Sequence, residues 1–105
     1  MKILDLPLKK EWYNMIESGE KKEEYREIND YWKSRLMQYS LRYGVREYVF
    51  KPLDEVRFSY GYTKKAMTFK IDTITIGRGN PEWGAPTDRD VFIIKLGEKI
   101  KGGEE

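Results

Sequence analysis

The sequence contains no cysteine and no histidine. The first absence removes disulfides, thiol nucleophiles and thiolate metal sites, and the second removes the usual imidazole base and the commonest metal ligand. Any catalysis must therefore draw on Lys, Glu, Asp, Ser, Thr or Tyr, and neither a metal nor a cofactor is expected. Long apolar runs are missing too. The opening Met-Lys-Ile-Leu-Asp-Leu-Pro lacks the apolar stretch of a signal peptide and no segment reaches membrane-spanning length, so the expectation is no membrane partner and a cytoplasmic location. Nor is there a strong charge of one sign: 20 Lys and Arg against 18 Asp and Glu leave a net +2, which by itself names no partner.

What the chain does have is aromatic rings. Eight Tyr, four Phe and three Trp in 105 residues can supply much of the buried area that a short chain otherwise lacks, so a folded single domain is expected over residues 1–101, with 102–105 a frayed tail. Residues 2–6 read as a brief strand stopped by Pro7. From there Leu8, Trp12, Met15 and Ile16 recur at helical spacing, which predicts a helix that buries Trp12, Met15 and Ile16 together, with Gly19 as its stop. The following EKKEEYREI alternates as a strand does. Asn29 or Asp30 then caps a second helix carrying Trp32 and Leu36.

Residues 41–54 mix aromatics, arginines and Pro52, and their periodicity assigns no element. Val56, Phe58, Tyr60 and Tyr62 alternate with polar residues as a half-buried strand, followed by a turn near Lys64. Residues 66–76 form the next strand, but Met67, Phe69 and Ile71 lie on one parity and Ile74 and Ile76 on the other, which predicts a bulge near Asp72 or Thr73. Such a parity switch lets one strand serve two sides of a small barrel. Residues 77–86 read as a loop and 91–96 as a central strand. The fold class is thus α+β, a small mixed β-barrel of five or six strands with two or three short helices.

Three features can carry chemistry. The first is Gly19, Lys21, Glu24 and Arg26, which read GxKxxExR directly after the helix stop. Glu24 and Arg26 are two apart and share a strand face, where they can pair; Lys22 has the same parity, and Lys21 joins them only if the strand starts late or twists. An exposed, mixed-charge strand edge would look the same in sequence and would contribute little. The second feature is a basic middle. Between Trp32 and Lys70 nine basic residues face three acidic ones, a local +6, interleaved with Tyr39, Tyr43, Tyr48, Phe50, Phe58, Tyr60 and Tyr62. Cations on phosphates and rings on bases would make this an RNA-binding face with Arg57 and Tyr60 in it, whereas the bland alternative puts the rings in the core. The third is the loop from Arg78 to Asp88, where Trp83 could lid a base and Glu82 or Asn80 read its polar edge, or where Trp83 simply covers one end of the barrel.

The strand and helix opening, the GxKxxExR run, the later strands and Gly61 after an apolar strand together resemble the ASCH family, whose domains are PUA-like β-barrels. The resemblance implies a cleft that binds RNA or a nucleotide or nucleoside, lined here by Lys21, Lys22, Glu24, Arg26, Arg57, Tyr60, Glu82 and Trp83. It also implies an enzymatic alternative, because some small bacterial ASCH proteins are amidohydrolases that deacylate N4-acylated cytidine. Those enzymes use a lysine matching Lys21, a threonine at the position that here holds Glu24, and a downstream glutamate. With the threonine replaced, the catalytic pair would be Lys21 and Glu24, the lysine as base and the carboxylate activating water. A protein-interaction accessory module is the remaining alternative, since Tyr and Trp also anchor protein interfaces.

Overall fold

A computed structural model describes residues 1–102 as seven strands and two helices: β1 (Ile3–Leu8), α1 (Lys10–Glu17), β2 (Glu23–Arg26), α2 (Asp30–Leu36), β3 (Met37–Arg42), β4 (Val45–Phe50), β5 (Glu55–Tyr60), β6 (Ala66–Gly77) and β7 (Val91–Gly102). Five strands form one mixed sheet in the order β1-β5-β6-β7-β2, which curls into a half-barrel; β1 runs parallel to β5 and the other pairs are antiparallel. All five are strands that the sequence pattern predicts. The sixth and seventh, β3 and β4, form a separate two-stranded hairpin in the region where periodicity assigns nothing.

Local chemistry explains most boundaries. Gly19 takes φ +89°, the left-handed conformation that glycine adopts without a Cβ penalty, and ends α1. Asn29 caps α2 by accepting a hydrogen bond from the Trp32 amide at 2.9 Å. The expected bulge is present: the β6–β7 register shifts between Ile71 and Thr73, and also on either side of Phe69.

Four expectations need correction. Strand β1 continues through Pro7 to Leu8, which an edge strand tolerates because a proline facing outward forfeits no ladder hydrogen bond. Strand β5 ends at Tyr60, and Tyr62, expected on its buried face, is 96% exposed in the turn beyond. On α1 it is Tyr13 and Ile16 that are buried; Trp12 and Met15 are only partly covered, because the helix lies rotated toward Tyr60, whose ring meets Tyr13 edge-on at 5.1 Å. Finally, β7 runs past Leu96 to include Lys101 and Gly102, so the first residue of the expected tail belongs to the sheet, and residues 103–105 of it lie outside the described residues.

The core lies between the concave sheet and the helices. Leu4, Leu6 and Leu8 of β1, Tyr13 and Ile16 of α1, Leu36 of α2, Val56 and Phe58 of β5, Met67 and Phe69 of β6, and Phe92 and Ile94 of β7 form one cluster. A smaller cluster, Tyr25, Ala85 and Val91 with Trp83 and Ile93, sits beside β2 and anchors the 77–90 loop. Among the described residues no helix is long and apolar enough to cross a membrane, and no group of three or more acidic residues is arranged to hold a metal ion.

Candidate functional site

The end of α1 determines where Lys21 points. The chain folds back on the last helical turn, with the Gly19 amide donating to the Ile16 carbonyl at 3.1 Å and the Lys21 amide to the Met15 carbonyl at 3.0 Å. Strand β2 begins only at Glu23, so Lys21 lies in the turn before it and is free of strand alternation. This is the late start that its convergence with Glu24 requires. The side chain goes inward and is only 2% exposed.

There the Lys21 ammonium lies 3.1 Å from Glu24 Oε1 and donates to the carbonyl oxygen of Trp83, with the rings of Tyr25 and Trp12 at 4.8 and 5.1 Å. An ammonium has three donors. Two are engaged, and the third has no hydrogen-bond acceptor among the described residues. Glu24, 5% exposed, takes Lys21 on one oxygen and the Arg26 guanidinium on the other. Arg26 in turn donates from Nη1 to the Tyr25 carbonyl at 2.7 Å and lies 5.2 Å from the Trp32 ring, while Nε and Nη2 make no hydrogen bond among the described residues. One buried carboxylate is therefore held between two cations, and each cation keeps donors in reserve.

Tertiary packing supplies the rest. The Tyr25 hydroxyl donates to Glu23 Oε1 at 2.7 Å and accepts from the Asn80 amide at 3.0 Å, tying the 77–90 loop to β2. Gly79 permits this contact, since a Cβ there would come within 2.6 Å of the Tyr25 ring. Asn80 then caps the short 3-10 turn Pro81–Trp83 by accepting from the Glu82 amide, and the turn presents the Trp83 carbonyl to Lys21. Gly84, at φ +102°, brings the loop against the Trp12 indole, 3.0 Å from where a Cβ would stand. The result is a cavity of about 260 Å³ with Lys21, Glu24 and Arg26 at its polar end, Trp12, Tyr25 and Trp83 as walls, and Pro7, Leu8 and Lys9 at the rim.

Burial lowers the pKa of Lys21, opposed by the adjacent Glu24 carboxylate. Burial likewise pushes the Tyr25 phenol far upward, helped by Glu23, so that hydroxyl stays a donor. With Lys21, Arg26 and Lys9 against Glu24, the cavity carries an excess of positive charge.

The structure brings together four of the eight residues that the sequence nominates: Lys21, Glu24, Arg26 and Trp83. The other four lie elsewhere. Lys22 is exposed although it shares the parity of Glu24, because β2 begins only at Glu23 and strand alternation does not extend back to it. Arg57 pairs with Asp5 at 2.6 Å, directly across β1 and β5 on the outer face of the sheet. Tyr60 packs on Tyr13 beneath Lys10 and Lys65, and Glu82 is exposed on the 3-10 turn. Sequence reasoning missed Tyr25 and Lys9 and took Trp12 for core. The only sequence hint for Trp12 is Gly84, whose missing side chain leaves room for a large ring. Comparison of this chain with family models, with curated proteins and with solved structures finds no match in any of the three.

Proposed function

We propose that this chain is an ASCH domain of the PUA-like type that binds a nucleotide or nucleoside, or a base of single-stranded RNA, in the cleft built on Lys21, Glu24 and Arg26. The carrying observation is the buried array itself: a carboxylate fixed between two cations with donors to spare, opening on a cavity with indole walls. Keeping such charges from water is costly, and a desolvated, charge-paired lysine lining a cleft is a candidate functional group. The volume of about 260 Å³ lies just below the usual range for drug-sized ligands, which suits one planar base with its sugar. Trp12 and Trp83 flank the ring, Glu24 accepts from an exocyclic amino group, and Lys21 and Arg26 meet a carbonyl or phosphate oxygen.

The test is thermal denaturation with nucleosides, nucleotides and short RNAs, since a ligand that binds only the native state raises the melting temperature. A shift lost in Arg26→Ala and Lys21→Met supports the reading; no shift with any of these ligands overturns it. Methionine is the better replacement for Lys21, because alanine would leave a void where a buried chain now packs.

A second reading rests on the lowered pKa of Lys21 beside Glu24. A neutral Lys21 amine can take a proton from water, the hydroxide attacks the acyl carbon of N4-acylcytidine, the carbon–nitrogen bond breaks, and Lys21 returns the proton to the departing exocyclic amine. Glu24 orients the water in place of the family's threonine. Chromatography of N4-acetylcytidine incubated with the protein decides it: cytidine and acetate should appear with the native protein and not with Lys21→Met.

A further inference from the structure

The β3–β4 hairpin stands apart from the sheet and, among the described residues, has no second layer over its aromatic face. Its register pairs Met37 with Phe50, Tyr39 with Tyr48, and Leu41 with Arg46, and alternation puts all six side chains on one face. The inner pair packs on the core, with Phe50 edge-on to Phe92 at 6.1 Å. The face then continues outward into solvent: Tyr39 is 62% exposed, Leu41 76% and Tyr48 43%. A two-stranded hairpin is marginal by itself, so an arm that spends its apolar face on water is not explained by stability.

The arm is ordered in a particular way. The Tyr39 and Tyr48 rings lie 4.7 Å apart, and the Arg46 guanidinium sits 4.4 Å from the Tyr39 ring centre. At the tip, Tyr43 and Gly44 both have positive φ, 53° and 76°, the signature of a tight two-residue turn that matches strand twist. Tyrosine adopts that conformation only at a cost, and here it holds a ring that is 96% exposed and touches none of the core. Charge narrows the occupant. Residues 33–51 hold five basic residues and one acidic, Glu47, so they carry +4 of a chain whose net charge is +2. The arm itself carries +1, Arg42 and Arg46 against Glu47, and Lys33, Arg35 and Lys51 at its base supply the rest. A second copy would bring no opposite charge to this surface, whereas a polyanion is attracted to arm and base together.

We infer that the β3–β4 arm is a binding surface for single-stranded nucleic acid, with Tyr39, Tyr48 and Tyr43 as stacking platforms for bases and Arg46 near the phosphates. Rings interleaved with cations on an open surface are the arrangement that binds single strands with little sequence preference. The inference is independent of the cleft, since none of these residues lines it.

The experiment is fluorescence anisotropy of a labelled oligouridylate with the full chain. Native protein should bind, and affinity should fall at least about tenfold between about 50 and about 200 mM salt. Tyr39→Ala/Tyr48→Ala should weaken binding about tenfold or more, Tyr39→Phe/Tyr48→Phe should restore it, and Arg46→Ala should weaken it alone, which keeps the test valid if the double variant folds poorly. Lys99→Ala, which removes an exposed cation of β7 outside both the arm and the cleft, should leave it nearly unchanged. Three binding results overturn the inference: no binding at low salt, binding lost with Lys21→Met but retained by the tyrosine double variant, or oligoglutamate bound as tightly as oligouridylate, which would mark an acidic protein as the partner. A dimer by light scattering that the double variant abolishes would overturn it in favour of a second copy.

Discussion

The cleft and the hairpin arm use the same residue types, cations beside aromatic rings, in opposite environments. At the cleft, Lys21 and Glu24 are almost fully withdrawn from water, and their rings, Trp12 and Tyr25, wall a concavity. On the arm, Arg46 lies over an exposed Tyr39 on a convex hairpin. In the first setting the low dielectric strengthens every polar contact and shifts pKa values; in the second, water and salt weaken them. The difference teaches that a cation beside a ring says little about its role until burial is known. It also sorts the consequences of mutation, which should be structural at the cleft and confined to binding on the arm.

The largest expected effect breaks the cleft. Glu24→Ala leaves two cations near each other without their shared carboxylate and should cost about 3 to 5 kcal/mol in denaturant unfolding. A midpoint that stays put would mean water already reaches the array. Next, Tyr13→Ala should cost about 3 to 5 kcal/mol, as for a fully buried ring, and Trp12→Ala about half that, since its indole is only partly covered. Equal losses would show that Trp12 belongs to the core and not to the cavity wall.

A pH experiment sharpens the contrast further. Because burial lowers the folded pKa of Lys21 below its ordinary 10.5, the unfolded chain binds more protons between those two values, and stability rises with pH across that window. Native protein should therefore gain stability relative to Lys21→Met as pH rises toward 10.5. An opposing limb common to both proteins sets in near pH 10: Tyr13 and Tyr25 hold their protons longer when folded, so their contribution is lost as the unfolded phenols ionise. Unfolding curves for both proteins across this range would reveal both limbs, and parallel curves for the two would refute the Lys21 assignment. The smallest effect is expected on the arm, where Tyr39→Ala/Tyr48→Ala should change stability by less than about 1 kcal/mol, one cross-strand pair's worth. A larger loss would mean that the arm supports the fold.

Much of this was legible in the chain itself where the signal is local. The GxKxxExR run located Lys21, Glu24 and Arg26, because a helix stop and strand alternation operate over a few residues. The parity break after Ile71 located the bulge for the same reason. Residues 41–54 yielded nothing, since the hairpin buries neither face fully and so leaves no period to read. Lys22, Arg57, Tyr60 and Glu82 were nominated for plausible chemistry, and the fold sends them elsewhere.

By itself the sequence determined the five strands of the sheet, both helices with their Gly19 stop and a cap at Asn29 or Asp30, and the motif that carries the buried charges, all consequences of periodicity and backbone freedom. Only the tertiary structure decided which charges would be buried and what would face them. The carbonyl that Lys21 reaches lies 62 residues along the chain, and it is placed there by Tyr25 pressing on Gly79 and by Trp12 packing on Gly84. Burial is set by what arrives from elsewhere in the chain, and no local pattern records that.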